Sequence, residues 1–300
     1  MPWSHHSHSG QFCGHATDTL EAVIQNAISK RMTTFCLTEH IARSDLDLYP
    51  EEISSGQNQA SLSKVYDDFY YEARRLQKLY AGQIQLFVGF EGEWIREGSE
   101  AIVKDLVERY EVDLFVGSVH HVHTSPIDFD TATYHKAREV AGGSDEQLFE
   151  DYFDAQFLML GALRPPVVGH FDLIRLKSDE PDQSFKAWPK VWEKLVRNLE
   201  FVAEYGGVIE LNSSSLRKGM KECYPQVEIY DSHGIFQVGL NYGKVLQCVE
   251  RAGITELWHL TPVGPESSDT PPDPRFPNVR WAAVQVTELK EHGFWKQPER

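Results

Sequence analysis

The chain is short of the features that mark several large protein classes. It has four cysteines in 300 residues, Cys13, Cys36, Cys223 and Cys248, with no C-x-x-C pair. That argues against a zinc ribbon and a disulfide framework and predicts reduced thiols. No apolar run approaches the length needed to cross a bilayer, and the His-rich start lacks the apolar stretch of a signal peptide. A soluble, cytoplasmic protein with no membrane partner is expected. Basic residues are scarce too: 29 Lys and Arg stand against 45 Asp and Glu, a formal charge of -16. Nucleic-acid binding needs clustered Lys and Arg, so no nucleic-acid partner is expected. A small phosphorylated ligand remains compatible, because bound divalent cations reverse the local field in a pocket.

What is present is an alternation of short apolar runs with longer stretches of helical period, the pattern of βα units around a parallel sheet. Thr17 and Asp18 are placed to cap a first helix whose Leu20, Val23, Ile24, Ala27 and Ile28 share one face. A strand over Thr34 to Thr38 follows, and a second long helix turns Leu62, Val65, Phe69, Leu76 and Leu79 inward before Gly82. Further strands are expected at Ile84 to Phe90, Leu114 to Val119, Pro166 to Gly169, Val208 to Leu211 and Val227 to Tyr230. Helical segments fall near Glu100 to Tyr110, Glu146 to Leu163, Ser184 to Tyr205 and Gly243 to Ala252. Pro262 to Pro277 reads as an irregular loop before a short terminal helix. The expected organisation is one barrel over residues 1–263, with residues 264–300 packed on it.

The histidines and carboxylates fall in a pattern. His6 and His8 form an H-x-H pair, and residues two apart in an extended chain point to one side. Alone, the pair is matched equally well by an unstructured His-rich terminus. However, nearly every expected strand is followed by a metal-ligand residue type: His40 in Thr38-Glu39-His40, Glu91, His120, His170, and Asp231 with His233. In (β/α) barrels the reactive groups sit at the C-terminal ends of the strands, so these residues would converge at one mouth. Imidazole and carboxylate suit zinc, manganese or iron, and a bridging carboxylate can hold two ions together.

These motifs resemble the PHP (polymerase and histidinol phosphatase) superfamily and, within it, the histidinol-phosphate phosphatases. The likeness runs in order through His5-His6-Ser7-His8-Ser9-Gly10, Cys13-Gly14-His15-Ala16, Thr38-Glu39-His40, Gly89-Phe90-Glu91, Gly117-Ser118-Val119-His120, Gly169-His170-Phe171-Asp172 and Asp231-Ser232-His233-Gly234. It implies a distorted seven-stranded TIM-like (β/α) barrel with two to three divalent ions, hydrolysing L-histidinol phosphate in histidine biosynthesis. By that resemblance, His6, His8, Glu91 and Asp231 hold a first ion. Glu91, His120 and His170 hold a second, and His15, His40 and His233 a third. The resemblance adds His15, which spacing does not single out. Glu91, Asp231 and His233 are assigned to the chemistry, Arg217 to the phosphate oxygens, and His121 to a further substrate contact. Cys13 reads as a small buried thiol, and Glu93 as a packing or pairing residue.

One stretch departs from the family pattern. Only Gln226 to Tyr230 separate Tyr224-Pro225 from Asp231, whereas a crossover to a parallel strand needs about ten residues or more. A shortened seventh unit is therefore expected, with incomplete ligation of the first and third ions. Two other classes fit less of the pattern: an amidohydrolase-like barrel that also opens with H-x-H, and a metal-binding variant with little activity.

Overall fold

The computed structural model describes residues 2–230, 242–264 and 272–296. Its strands are β1 (Trp3–Ser4), β2 (Thr34–His40), β3 (Gln85–Glu93), β4 (Leu114–Ser118), β5 (His121–Val122), β6 (Ser125–Pro126), β7 (Val167–Val168), β8 (Val208–Ile209), β9 (Glu256–Pro262) and β10 (Val279–Gln285). The helices are α1 (Leu20–Ser29), α2 (Pro50–Ser54), α3 (Gln59–Tyr80), α4 (Gly98–Arg109), α5 (Thr131–Val140), α6 (Asp145–Leu163), α7 (Pro189–Tyr205), α8 (Ser214–Arg217), α9 (Val227–Tyr230), α10 (Tyr242–Arg251) and α11 (Val286–Glu291).

Six strands form one parallel sheet in the order β1-β2-β3-β4-β7-β8. Among the described residues the order never reverses, so they contain no switch point of the doubly wound kind. Repeated right-handed crossovers in one direction put the connecting helices on one side and curl the sheet toward a barrel. This is the distorted TIM-like α/β architecture expected from the sequence. Strands covered on both faces read as continuous apolar runs, as in Leu86, Phe87 and Val88 of β3 and Leu114, Phe115 and Val116 of β4, all buried. At Gly89 a Cβ would lie 2.2 Å from the Leu114 carbonyl oxygen, so only glycine lets β3 and β4 approach this closely.

Several local expectations shift. The cap of α1 is Thr19, whose side chain accepts from the Ala22 amide, rather than Thr17 or Asp18. On α3 the buried stripe is Tyr66, Phe69, Ala73, Leu76 and Tyr80. Leu79 is exposed, because amphipathic tyrosines displace aliphatic residues from the inner face.

The expected strand Val227 to Tyr230 is instead the short helix α9. Its start is fixed by carboxylates: Asp172 Oδ2 accepts from the Gln226 amide at 2.9 Å and Glu222 Oε2 from the Val227 amide at 2.8 Å. This is how free amides at a helix N-terminus are satisfied. The segment is also too short to cross back to the sheet, in line with the shortened seventh unit. Beyond it, β10 pairs antiparallel with β9, two strands not expected from the sequence that flank the stretch read as an irregular loop. Phe276, Val279, Val286 and Leu289 join the same buried cluster as the barrel strands.

Candidate metal centre

The site lies at the C-terminal ends of the sheet strands. The β2–β3 register sets His40 beside Glu91. Alternation along β3 turns Glu91 and Glu93 to one face, with Phe90 on the other. His120 and His121 follow β4, and His170 follows β7 by way of Gly169. A Cβ on Gly169 would meet Ser118 Oγ at 2.6 Å and Val116 at 2.8 Å, so this glycine keeps the strand ends close. The chain leaving β1 alternates as well. His6 and His8 turn toward Glu91, whereas His5 is buried on the opposite side and accepts from the Leu260 amide of β9 at 3.2 Å. Burial, followed by the charge of His259, pulls the pKa of His5 down to about 3, so it is a neutral packing residue.

Glu91 is the centre of the cluster. Its Oε2 lies 3.3 Å from His6 Nε2, 3.3 Å from His8 Nε2 and 3.0 Å from His40 Nδ1. Its Oε1 lies 2.9 Å from His170 Nε2 and 3.4 Å from His120 Nε2, and it accepts from Ser118 Oγ at 2.6 Å. Among the described residues, five imidazoles thus surround one buried carboxylate. The rings also face each other nitrogen to nitrogen, with 3.0 Å between His6 Nε2 and His8 Nε2 and 3.2 Å between His120 Nε2 and His170 Nε2. His40 Nδ1 is near Glu91 but lacks hydrogen-bond geometry, and among the described residues neither ring nitrogen of His40, nor Nδ1 of His170, has a hydrogen-bond partner.

Orphaned buried nitrogens are costly in a core made of protein alone. Ligands of one tetrahedral ion, with bonds of about 2.0–2.1 Å, stand roughly 3.3 Å apart, which matches the spacing seen here. Among the described residues, donor atoms within 4.8 Å of one another form three sets: His6, Glu91 and His170; His40, Glu91 and His120; and His8, Cys13 and His40. These residues fit divalent cations. The electrostatics point the same way. Burial works against a charged Glu91, but His6, His120 and His40 hold its carboxyl well below the usual range. Burial also opposes charge on His6, yet Glu91 and Glu210 push its pKa up to about 10. The pocket is built around negative charge that attracts cations.

A second ring of carboxylates fixes the imidazoles. Glu39 Oε2 lies 3.0 Å from His8 Nδ1, and its Oε1 accepts from the Ser9 amide at 2.7 Å. Glu210, just beyond β8, lies 3.2 Å from His6 Nδ1 and accepts from the His170 amide at 2.8 Å and from Asn212 Nδ2 at 3.0 Å. Glu93 takes His121 Nδ1 at 2.6 Å and Arg43 Nε at 2.6 Å, and lies 3.4 Å from His120 Nδ1. Such partners set the ring tautomer and aim, and losing one typically weakens metal binding about 10–100-fold. Glu210→Gln should therefore lower divalent-metal affinity by about that factor, read by competition with a chromophoric chelator. Unchanged affinity would show that Glu210 does not orient His6.

The structure places the remaining sequence candidates as follows. His15 adjoins the cluster, its ring 5.4 Å from that of His40 and its Nε2 3.2 Å from Cys13 Sγ. Cys13 is buried as expected, but it belongs to a donor set. His121 is buried and held by Glu93. Arg217 is exposed at the end of α8. Asp231 and His233 lie outside the described residues. Sequence reasoning missed Glu39, Glu210 and Arg43 as positioning groups. For Glu210 the signal was there, since it follows β8 as Glu91 and His120 follow the ends of their own apolar runs. Lys218 was missed as well. The residue as a whole is exposed, yet burial of its ammonium comes first in lowering its pKa, and the charges of Asp128, Arg217, Lys177 and Glu91 all act on it.

Comparison with known proteins agrees with this geometry. Residues 4–214 match the model of the PHP domain. The chain is 43% identical over 286 residues to a protein of Schizosaccharomyces pombe named "Probable histidinol-phosphatase", covering 90% of this chain and 92% of that protein. It is 33% identical over 288 residues to the histidinol-phosphatase of Saccharomyces cerevisiae, covering 81% of this chain and 86% of that one. The crystal structure of histidinol phosphate phosphatase from Lactococcus lactis, complexed with zinc, L-histidinol and phosphate, shares the fold. Its TM-score is 0.54 at 17% identity, covering 84% of this chain and 81% of that chain. With its domain match, its relatives and its five-imidazole cluster around one carboxylate, the chain belongs to the PHP-domain family.

Proposed function

We propose that the protein is a metal-dependent phosphomonoesterase that hydrolyses L-histidinol phosphate to L-histidinol and phosphate, a step of histidine biosynthesis in the cytoplasm. The names of the two fungal relatives support the substrate. The convergence of five imidazoles on Glu91 is the observation that carries the metal dependence. His6, His8 and Glu91, with Asp231, would hold one ion, and Glu91, His120 and His170 a second. His15 and His40, with His233, would hold a third, for two to three ions of zinc, manganese or iron. Bound divalent ions supply the positive charge and the acidified water that hydrolysis of a phosphate monoester needs near neutral pH.

The chain's own groups do the rest. Glu91 joins two donor sets, so the two halves of the site keep a fixed spacing. Glu39, Glu93 and Glu210 hold the rings of His8, His120 and His6, which leaves little to reorganise during reaction. Arg217 and Lys218 lie on the segment after β8 and supply positive charge for the phosphoryl oxygens. No described helix is long and apolar enough to cross a membrane.

The test is phosphate release by the metal-reconstituted protein from L-histidinol phosphate, generic phosphomonoesters and amides. Turnover of L-histidinol phosphate with kcat/KM well above the generic esters is expected. Preference for an amide would favour an amidohydrolase. Tight metal binding without turnover of any phosphomonoester would mark a protein that has lost catalysis.

A further inference from the structure

The hairpin of β5 and β6 follows His120 and is closed by the Ile127 amide donating to the His120 carbonyl at 2.9 Å. Ile127 is fully buried, and the next residue, Asp128, is half-buried. Glu39, Glu93 and Glu210 each hold an imidazole, and Asp113 and Asp172 each hold an arginine. Asp128 has no such partner. Among the described residues no Lys, Arg or His nitrogen pairs with its carboxylate, and its one hydrogen bond is long, 3.5 Å from the Tyr49 hydroxyl.

The backbone places that charge at the site, because the Ile127 amide ties the residue before Asp128 to His120, one of the proposed ion ligands. Tyr49 forms the wall beside Asp128, its ring 5.8 Å from Phe129 and 5.0 Å from His121, with the Arg43 guanidinium 4.6 Å over its face. Because the Arg43 guanidinium is committed to Glu93 and Glu52, it is not available to neutralise Asp128.

We infer that Asp128 is the specificity residue of this site, pairing with the primary ammonium on the substrate carbon next to the phosphate-bearing carbon. The inference rests on the reading of L-histidinol phosphate as substrate and adds the group that recognises its amine. A phosphate held at the ions leaves the neighbouring ammonium at the wall of the mouth. There a half-buried carboxylate beside Tyr49 and Phe129 attracts a cation more strongly than it would in open water. The site thus has opposite charges for the two ends of an amino-alcohol phosphate.

The experiment compares kcat/KM for L-histidinol phosphate with kcat/KM for its analogue lacking the amino group, 3-(imidazol-4-yl)propyl phosphate, in the metal-loaded enzyme and in Asp128→Asn. The ratio is measured within one preparation, so losses of metal or folded protein cancel. In the wild type the amino substrate should be preferred, and in Asp128→Asn that preference should fall by about 10–100-fold, mainly through KM. Asp128→Glu, which keeps the charge, should recover part of it. The same preference in Asp128→Asn as in the wild type, with the wild type active on L-histidinol phosphate, would overturn the ammonium contact alone. A wild type that turns over the analogue but not L-histidinol phosphate would overturn both the substrate reading and this one.

Discussion

Glu91→Gln is expected to reduce phosphate release by about 10³-fold or more while the protein stays folded. Both oxygens of Glu91 face ring nitrogens, so a change to an amide removes the negative charge that two donor sets share. A metal centre stabilises the charge of a phosphoryl transition state by several kcal/mol, and each 1.36 kcal/mol lost is about tenfold in rate. The loss should appear in kcat and in metal content together. Folding should survive because the amide has the same shape and the Ser118 hydroxyl can still donate to its oxygen. The surrounding imidazoles can release protons and remain neutral. Circular dichroism and the melting curve should therefore match the wild-type protein stripped of metal. If the variant kept activity within tenfold of the parent, Glu91 would not be the shared ligand.

Much of this centre is legible in the sequence because the relevant rules are local. Period-two alternation separates His6 and His8 from His5, and the ends of apolar runs mark where His40, Glu91, His120 and His170 emerge. The partners that aim those rings are harder to see. Glu39 meets His8 and Glu210 meets His6 only because the parallel sheet brings separate strand ends together, and no spacing along the chain records that.

Elsewhere a local signal was overruled. Val227 to Tyr230 mixes β-branched and aromatic residues and reads as a strand, but the carboxylates of distant Asp172 and nearby Glu222 cap the amides at its start and make it a helical turn. On α3 the polar hydroxyls of Tyr66 and Tyr80 hide two inward positions. Each hydroxyl is satisfied, by the Gly89 carbonyl at 3.2 Å and by Glu21 at 2.7 Å respectively, so the rings can be buried. The pairing of β9 with β10 joins segments on either side of a Pro- and Ser-rich stretch, whose composition gives no hint of it.

Removing the metal should abolish phosphate release without unfolding the chain, and restoring zinc, manganese or iron should bring the activity back. The large buried cluster runs through the sheet and its helices, from Leu37 and Val88 to Leu195 and Val202, and does not depend on the ions. The ligand cluster needs cations only to match the charge of Glu91 and to engage the orphaned nitrogens of His40 and His170. In the stripped protein, protons on His6, His8 and His120 take over part of that balance. For each of these rings burial opposes charge, and the neighbouring glutamates still raise the pKa above its ordinary value. An ion that binds only the folded state stabilises it by about 2.7 kcal/mol at a hundredfold excess over its Kd. For a chain of 300 residues that corresponds to a rise in Tm of roughly 4 °C per ion. The melting temperature should therefore climb with the logarithm of free metal concentration and in parallel with recovered activity. A melting temperature indifferent to metal, or full activity in the stripped protein, would rule out the ion cluster as the seat of the reaction.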